Sequence, residues 1–148
     1  METIHAADEV YVGWDTAPVG DGAVIVARDR VVALGAFGDL RERWPGARVR
    51  RWPGVLGPAR VHEGPLPDAP TPRERIHAVL KLGATAVVEE YLDPPALRAA
   101  AERNHVLVLP RARPCLITDA GRADLAVFDA DGACIATVCA GRLVHRRR

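Results

Sequence analysis

The stretch Gly121–Arg146, GRADLAVFDADGACIATVCAGRLVHR, decides how the rest of the chain must fold. Two apolar runs, Leu125–Phe128 and Ile135–Val138, flank Asp129-Ala130-Asp131-Gly132, and a third run, Arg142–His145, follows Ala140-Gly141. Asp-Gly supplies the positive φ that hairpin turns need, so the segment reads strand, tight turn, strand, tight turn, strand. Such a sheet must bury one face against another element. The only stretch of matching character lies at the other end of the chain.

There, Ala23–Ala27 and Val31–Gly35 read as a hairpin joined by Arg28-Asp29-Arg30, and Glu9–Gly13 and Ala47–Trp52 alternate as strands do. Phe37, Leu40 and Trp44 share one helical face, and Pro45-Gly46 stops that helix. Pro53-Gly54 is expected to end the strand before it. From Val55 the character changes. Val55-Leu56 and Ala59–Val61 suggest one buried strand broken by Gly57-Pro58, and the proline-rich Gly64–Pro72 is loop. Thr71 as N-cap, Pro72 at the first helical position and Glu74 three residues after the cap start a helix with Ile76, Val79 and Leu80 inward and Gly83 just past its end. Ala84–Val88 is a strand, Asp93-Pro94 opens a second helix through Arg103, and Val106–Leu109 is a third continuous apolar strand. Unbroken apolar strands alternating with helices are the parallel βαβαβ pattern. Arg111–Ala120 is an irregular return. The expectation is a mixed α/β chain: a composite β-sandwich from residues 1–53 and 120–148, bridged by a βαβαβ fragment over 54–119.

The 148 residues suffice for one domain, or for two small lobes sharing a core. Lys plus Arg (20) nearly balances Asp plus Glu (19), so no global field selects nucleic acid or an anionic membrane. Arginines 41, 43, 48, 50 and 51 cluster near Trp44 and Trp52, yet the alternation of ARVRRW reads as the outer face of a sandwich strand. No run is long enough to span a membrane and no signal sequence opens the chain, which makes a cytoplasmic location the expectation. Three cysteines, Cys115, Cys134 and Cys139, contain no CxxC pair. Strand parity sets Cys134 and Cys139 on opposite faces, unable to share a metal.

The ends of the chain resemble the amidohydrolase superfamily, particularly its imidazolonepropionase-like branch. Gly121-Arg122-Ala123-Asp124-Leu125-Ala126-Val127-Phe128-Asp129, followed by Val138-Cys139-Ala140-Gly141-Arg142-Leu143-Val144, is similar to that family's closing A-D-L-x-V-x-D … V-x-x-G-x-x-V. Asp21–Val26 with Val31–Gly35 resembles its opening hairpin, and Leu82–Val88 its G-x-T-T-V passage. The resemblance implies a sandwich made from both termini with a metal-bearing (β/α)8 barrel inserted between them. Residues 54–119 have room for only part of such a barrel, and Leu56–Gly64 keeps one histidine, His62, where the family carries His-x-His.

No catalytic or metal site can be assigned outright, because catalytic zinc needs three protein ligands and none of His5, His62, His77, His105 or His145 has a partner at helical or strand spacing. The candidate catalytic residues are His62, Glu63 and Asp119, and the candidate metal ligands His62, Glu89 and Glu90 at neighbouring parallel strand ends. Cys115, with His62 or His105 as base, is the nucleophilic alternative, and a buried structural thiol the plainer one. Two functions follow as expectations. One is a catalytically inactive amidohydrolase-like protein, without cofactor, acting as a small-molecule-binding or assembly module. The other is a minimal zinc-dependent hydrolase of C–N bonds in cyclic amides or amidines, its site completed across a dimer. The exposed edge of an incomplete barrel points to a homodimer, with neither nucleic acid nor membrane as partner.

Overall fold

The computed structural model describes residues 1–147. Strands β1 (Glu2–Val10), β2 (Val19–Ala27) and β3 (Arg30–Ala36) form an antiparallel meander. Helix α1 (Phe37–Arg43) then carries the chain back, so that β4 (Arg48–Pro58) lies parallel to β1. Next come β5 (Arg60–His62), α2 (Pro72–Lys81), β6 (Ala84–Val88), a short 3-10 turn (Glu89–Tyr91), α3 (Pro95–Arg103) and β7 (Leu107–Leu109). The chain closes with β8 (Leu125–Phe128), β9 (Cys134–Cys139) and β10 (Arg142–Arg146).

The two termini do combine, as the patterning of the last stretch requires. They form a seven-stranded sheet in the order β10-β9-β8-β4-β1-β2-β3, and β5-β6-β7 make a separate parallel sheet. The expected two layers arise because the large sheet curls over on itself. Val24, Val26 and Val31 from one arm and Val127, Ile135 and Val138 from the other share a single core. Where the arms meet, the Val31 N–H donates to Gly121 O at 2.9 Å and the Ala123 N–H to Asp29 O at 2.7 Å. The outer face of the first arm packs Ile4, Ala6 and Ile25 against Leu40 of α1.

β4 is the seam between the arms, pairing with β1 along most of its length and with β8 from Val55 to Pro58. Pro53-Gly54 does not end this strand, contrary to the sequence expectation. The ladder slips by one residue at Asp8, whose carboxylate accepts the Gly54 N–H at 3.1 Å, and the strand runs on through the bulge. The break falls one residue beyond Gly57-Pro58. The Ala59 N–H still donates to Asp124 O at 3.0 Å, whereas the Arg60 N–H already donates to Gly83 O at 2.9 Å. One peptide therefore separates the two sheets.

Helix α2 starts where expected. Thr71 Oγ1 accepts the Glu74 N–H at 3.2 Å and its hydroxyl donates to Glu74 Oε1 at 3.0 Å. Ile76, Val79 and Leu80 join Leu97, Ala100 and Ala101 of α3 in a second core, capped from the large sheet by Cys139. Thr137 Oγ1 of β9 donates to the Leu80 carbonyl at 2.7 Å and fixes α2 against that sheet. Cys134 and Cys139 face the same side, correcting the expectation from parity. A bulge opposite Phe128 sends both Ile135 and Ala136 to the sandwich core, which returns Cys134 to the helix side, 3.3 Å from Thr137 Oγ1.

Candidate functional site

Of the residues singled out in the sequence, His62, Glu63, Glu89 and Glu90 stand at the C-terminal ends of β5 and β6. His62 closes β5, but its ring turns back on its own loop, Nε2–H donating to Pro65 O at 3.0 Å. That loop is held by buried Leu66 and by Arg75 of α2, which donates to the carbonyls of Leu66 and Pro67 at 3.2 Å each. His62 and Glu63 line a depression shared with Lys81, Cys134 and Arg147. Glu89 and Glu90 lie exposed in the 3-10 turn after β6 and do not line it. Asp119 sits in an exposed turn before β8. Among the described residues, no three His, Cys, Asp or Glu side chains come together as a metal cluster.

A different constellation forms on the other face of the parallel sheet. Thr85 and Ala86 of β6 and Leu107 and Leu109 of β7 floor a cavity of about 290 Å³, roofed by Arg113–Leu116 and walled by Arg122 and Asp124. The roof is anchored by Ile117, itself buried, whose N–H donates to Val12 O at 2.8 Å. Thr85 is only 3% exposed, and it is the polar side chain that the floor of this cavity presents. A hydroxyl lining a cavity can donate and accept one hydrogen bond to a ligand or water there.

Asp124, from the A-D-L motif, has a defined task. Its Oδ1 accepts the Ala140 N–H at 3.0 Å and its Oδ2 accepts Arg122 Nε–H at 2.8 Å. It thereby pins the β9–β10 turn and fixes Arg122 along the cavity wall. Cys115 shows no sign of activation. Burial raises its thiol above the ordinary range, the nearby Arg113 offsets this only in part, and Sγ–H donates to Arg113 O at 3.7 Å. Cys139 is pushed up to about 11, first by burial and then by Asp124.

Sequence reasoning did not pick out Thr85, Arg113, Arg122 or Asp124 as site residues. One signal was available: Thr85 is the single polar residue in the otherwise apolar strand Ala84–Val88.

No protein-family model and no curated protein matches the chain. Solved structures do. The E. coli guanine deaminase matches at a TM-score of 0.54 with 15% identity, over 73% of this chain and 35% of the deaminase. The A. niger ochratoxinase matches at 0.51 with 16% identity, over 72% of this chain and 30% of its own. A triazine hydrolase from Arthobacter aurescens matches at 0.51 with 15% identity, over 72% and 34%. The chain shares its fold with part of each of these enzymes. The chain spans about a third of the length of these enzymes. The sheet floor under the cavity has three parallel strands, where a full (β/α)8 barrel has eight.

Proposed function

We propose that the chain is a catalytically inactive member of the imidazolonepropionase-like branch, working as a small-molecule-binding module whose ligand lies on the inner face of β5-β6-β7. The cavity carries this reading. It offers a buried Thr85 hydroxyl, an apolar floor and the ion-paired Arg122–Asp124 wall, the mixture of apolar lining and few placed polar groups that ligand sites use. The polypeptide works without metal or cofactor in this reading, and pairs as a homodimer across the open edge of β7.

The competing reading is a zinc-dependent hydrolase of C–N bonds in cyclic amides or amidines. One observation favours it: His62 and the Glu89–Glu90 pair stand at the C-terminal ends of adjacent parallel strands, where superfamily-type sites assemble. A second copy would then complete the ligand set. The donor set within one chain does not suffice, since His62 is bonded to Pro65.

Two measurements decide between them. Elemental analysis of untagged protein is expected to find no stoichiometric zinc, iron or manganese. One metal per chain, lost on His62→Ala, would overturn the binding-module reading. Fragment screening by protein NMR is expected to move the amides of Thr85, Ala86 and Leu107 together, with the response lost in Thr85→Val. Light scattering gives the oligomeric state, and a monomer at high concentration would remove the dimer from both readings.

A further inference from the structure

A second site, sharing no residue with the cavity above, lies at the far edge of the curled sheet. The alternation of β4 sets Arg48, Arg50 and Trp52 on one face. Val49 turns to the core under α1, and Arg51 turns the same way, its guanidinium 4.2 Å over the Phe37 ring and 3.7 Å from Asp21. Arg146 reaches across from β10 and stands 5.5 Å over the Trp52 ring. Three guanidiniums from the two arms of the sheet thus line one concavity of about 400 Å³.

Arg51 also borders the concavity and is paired with Asp21, whereas Arg48, Arg50 and Arg146 have no carboxylate partner among the described residues. The ion pairs among the described residues involve Arg30, Arg51, Arg122 and Arg147, not these three. On the neighbouring strand, Arg48 stands beside Thr3 and Arg50 beside His5. His5 is buried, and its Nδ1 accepts the Trp52 Nε1–H at 3.3 Å, so it brings no negative charge. Three like charges facing one concavity repel, and an anion that bonds them removes that cost.

We propose that this concavity binds a phosphate-bearing small molecule. A phosphate dianion presents several acceptor oxygens to guanidinium forks and neutralises more than one charge, which a single carboxylate cannot. Nucleic acid fits less well, because stacking needs an open aromatic face. Trp52 is 8% exposed, with Arg146 lying over its ring.

Calorimetric titration with inorganic phosphate and pyrophosphate, at pH 8 and constant ionic strength, tests the proposal. Saturable binding of one anion per chain is expected, weakened about tenfold or more in Arg50→Gln and in Arg146→Gln. Arg48→Gln alters an exposed side chain, so its loss of binding cannot be ascribed to misfolding. Non-saturating heats, or equal binding in all three variants, would overturn the proposal. Tighter binding of a single-stranded oligonucleotide than of pyrophosphate would also overturn it, in favour of an extended polyanion.

Discussion

At the scale of single residues, His5 is the histidine that the fold takes out of water. It is 3% exposed and titrates at about 4 instead of 6.5, chiefly because burial disfavours the imidazolium and secondarily because Arg50 stands beside it. Above pH 6.5 the group is neutral in both folded and unfolded chains and contributes nothing to pH dependence. Between 6.5 and 4 the unfolded chain takes up a proton that the folded protein refuses, so stability falls as the pH falls, by up to about 3 kcal/mol. Urea midpoints at pH 7.5 and 4.5 check this. Wild type is expected to lose more stability across that interval than His5→Asn, which keeps an acceptor for Trp52 Nε1–H without a titrating ring. Equal losses would show that His5 is protonated in the fold. Asp124 teaches a related lesson. The motif names the residue, but only its two bonds, to Ala140 N and Arg122 Nε, reveal that it holds a turn and a cavity wall.

At the scale of elements, local chemistry predicted starts and stops well wherever side chain and backbone answer each other within one turn. Thr71, Pro72 and Glu74 are such a case, and Thr71→Ala is expected to cost about 1 kcal/mol in chemical denaturation, with Thr71→Ser nearly neutral. No loss in the alanine variant would show that tertiary packing alone sets the helix start. Strand β4 is the opposite case. Pro53-Gly54 carries a genuine turn signal, yet Asp8, 46 positions away, accepts the Gly54 N–H and lets the strand continue through a bulge. The two cysteines of β9 were assigned to opposite faces for the same reason. A bulge adds one residue to a ladder, and strict alternation cannot anticipate it.

At the scale of the whole molecule, the fold depends on the meeting of two turns far apart in sequence. Gly141 has φ +80° in the β9–β10 turn, and a Cβ there would fall on the carbonyl of Arg28 in the β2–β3 turn. Gly132 has nearly the same φ, +81°, in open space. Both alanine substitutions incur the left-handed backbone penalty of about 1 kcal/mol. Gly141→Ala must in addition part the two arms, and is expected to lower the melting temperature several-fold more than Gly132→Ala. Similar losses in the two variants would mean that the closure contributes little to stability. The same closure brings Arg146 to Trp52, so the proposed phosphate site and the stability of the curl stand together.

The sequence by itself determined the mixed α/β class, the union of the two ends, the βαβαβ insert and the amidohydrolase likeness carried by Ala123-Asp124-Leu125. These rest on two-residue periodicity, turn residues and caps, which are interactions within a few positions of one another. Only the tertiary structure decided that the large sheet is continuous through β4, that His62 bonds Pro65, and that Thr85 faces a cavity walled by Arg122. It also decided that three arginines of two strands face one concavity. Those features depend on register and on bulges, each set by packing between residues tens of positions apart. A single slipped peptide changes which side chains meet, and no local pattern encodes the slip.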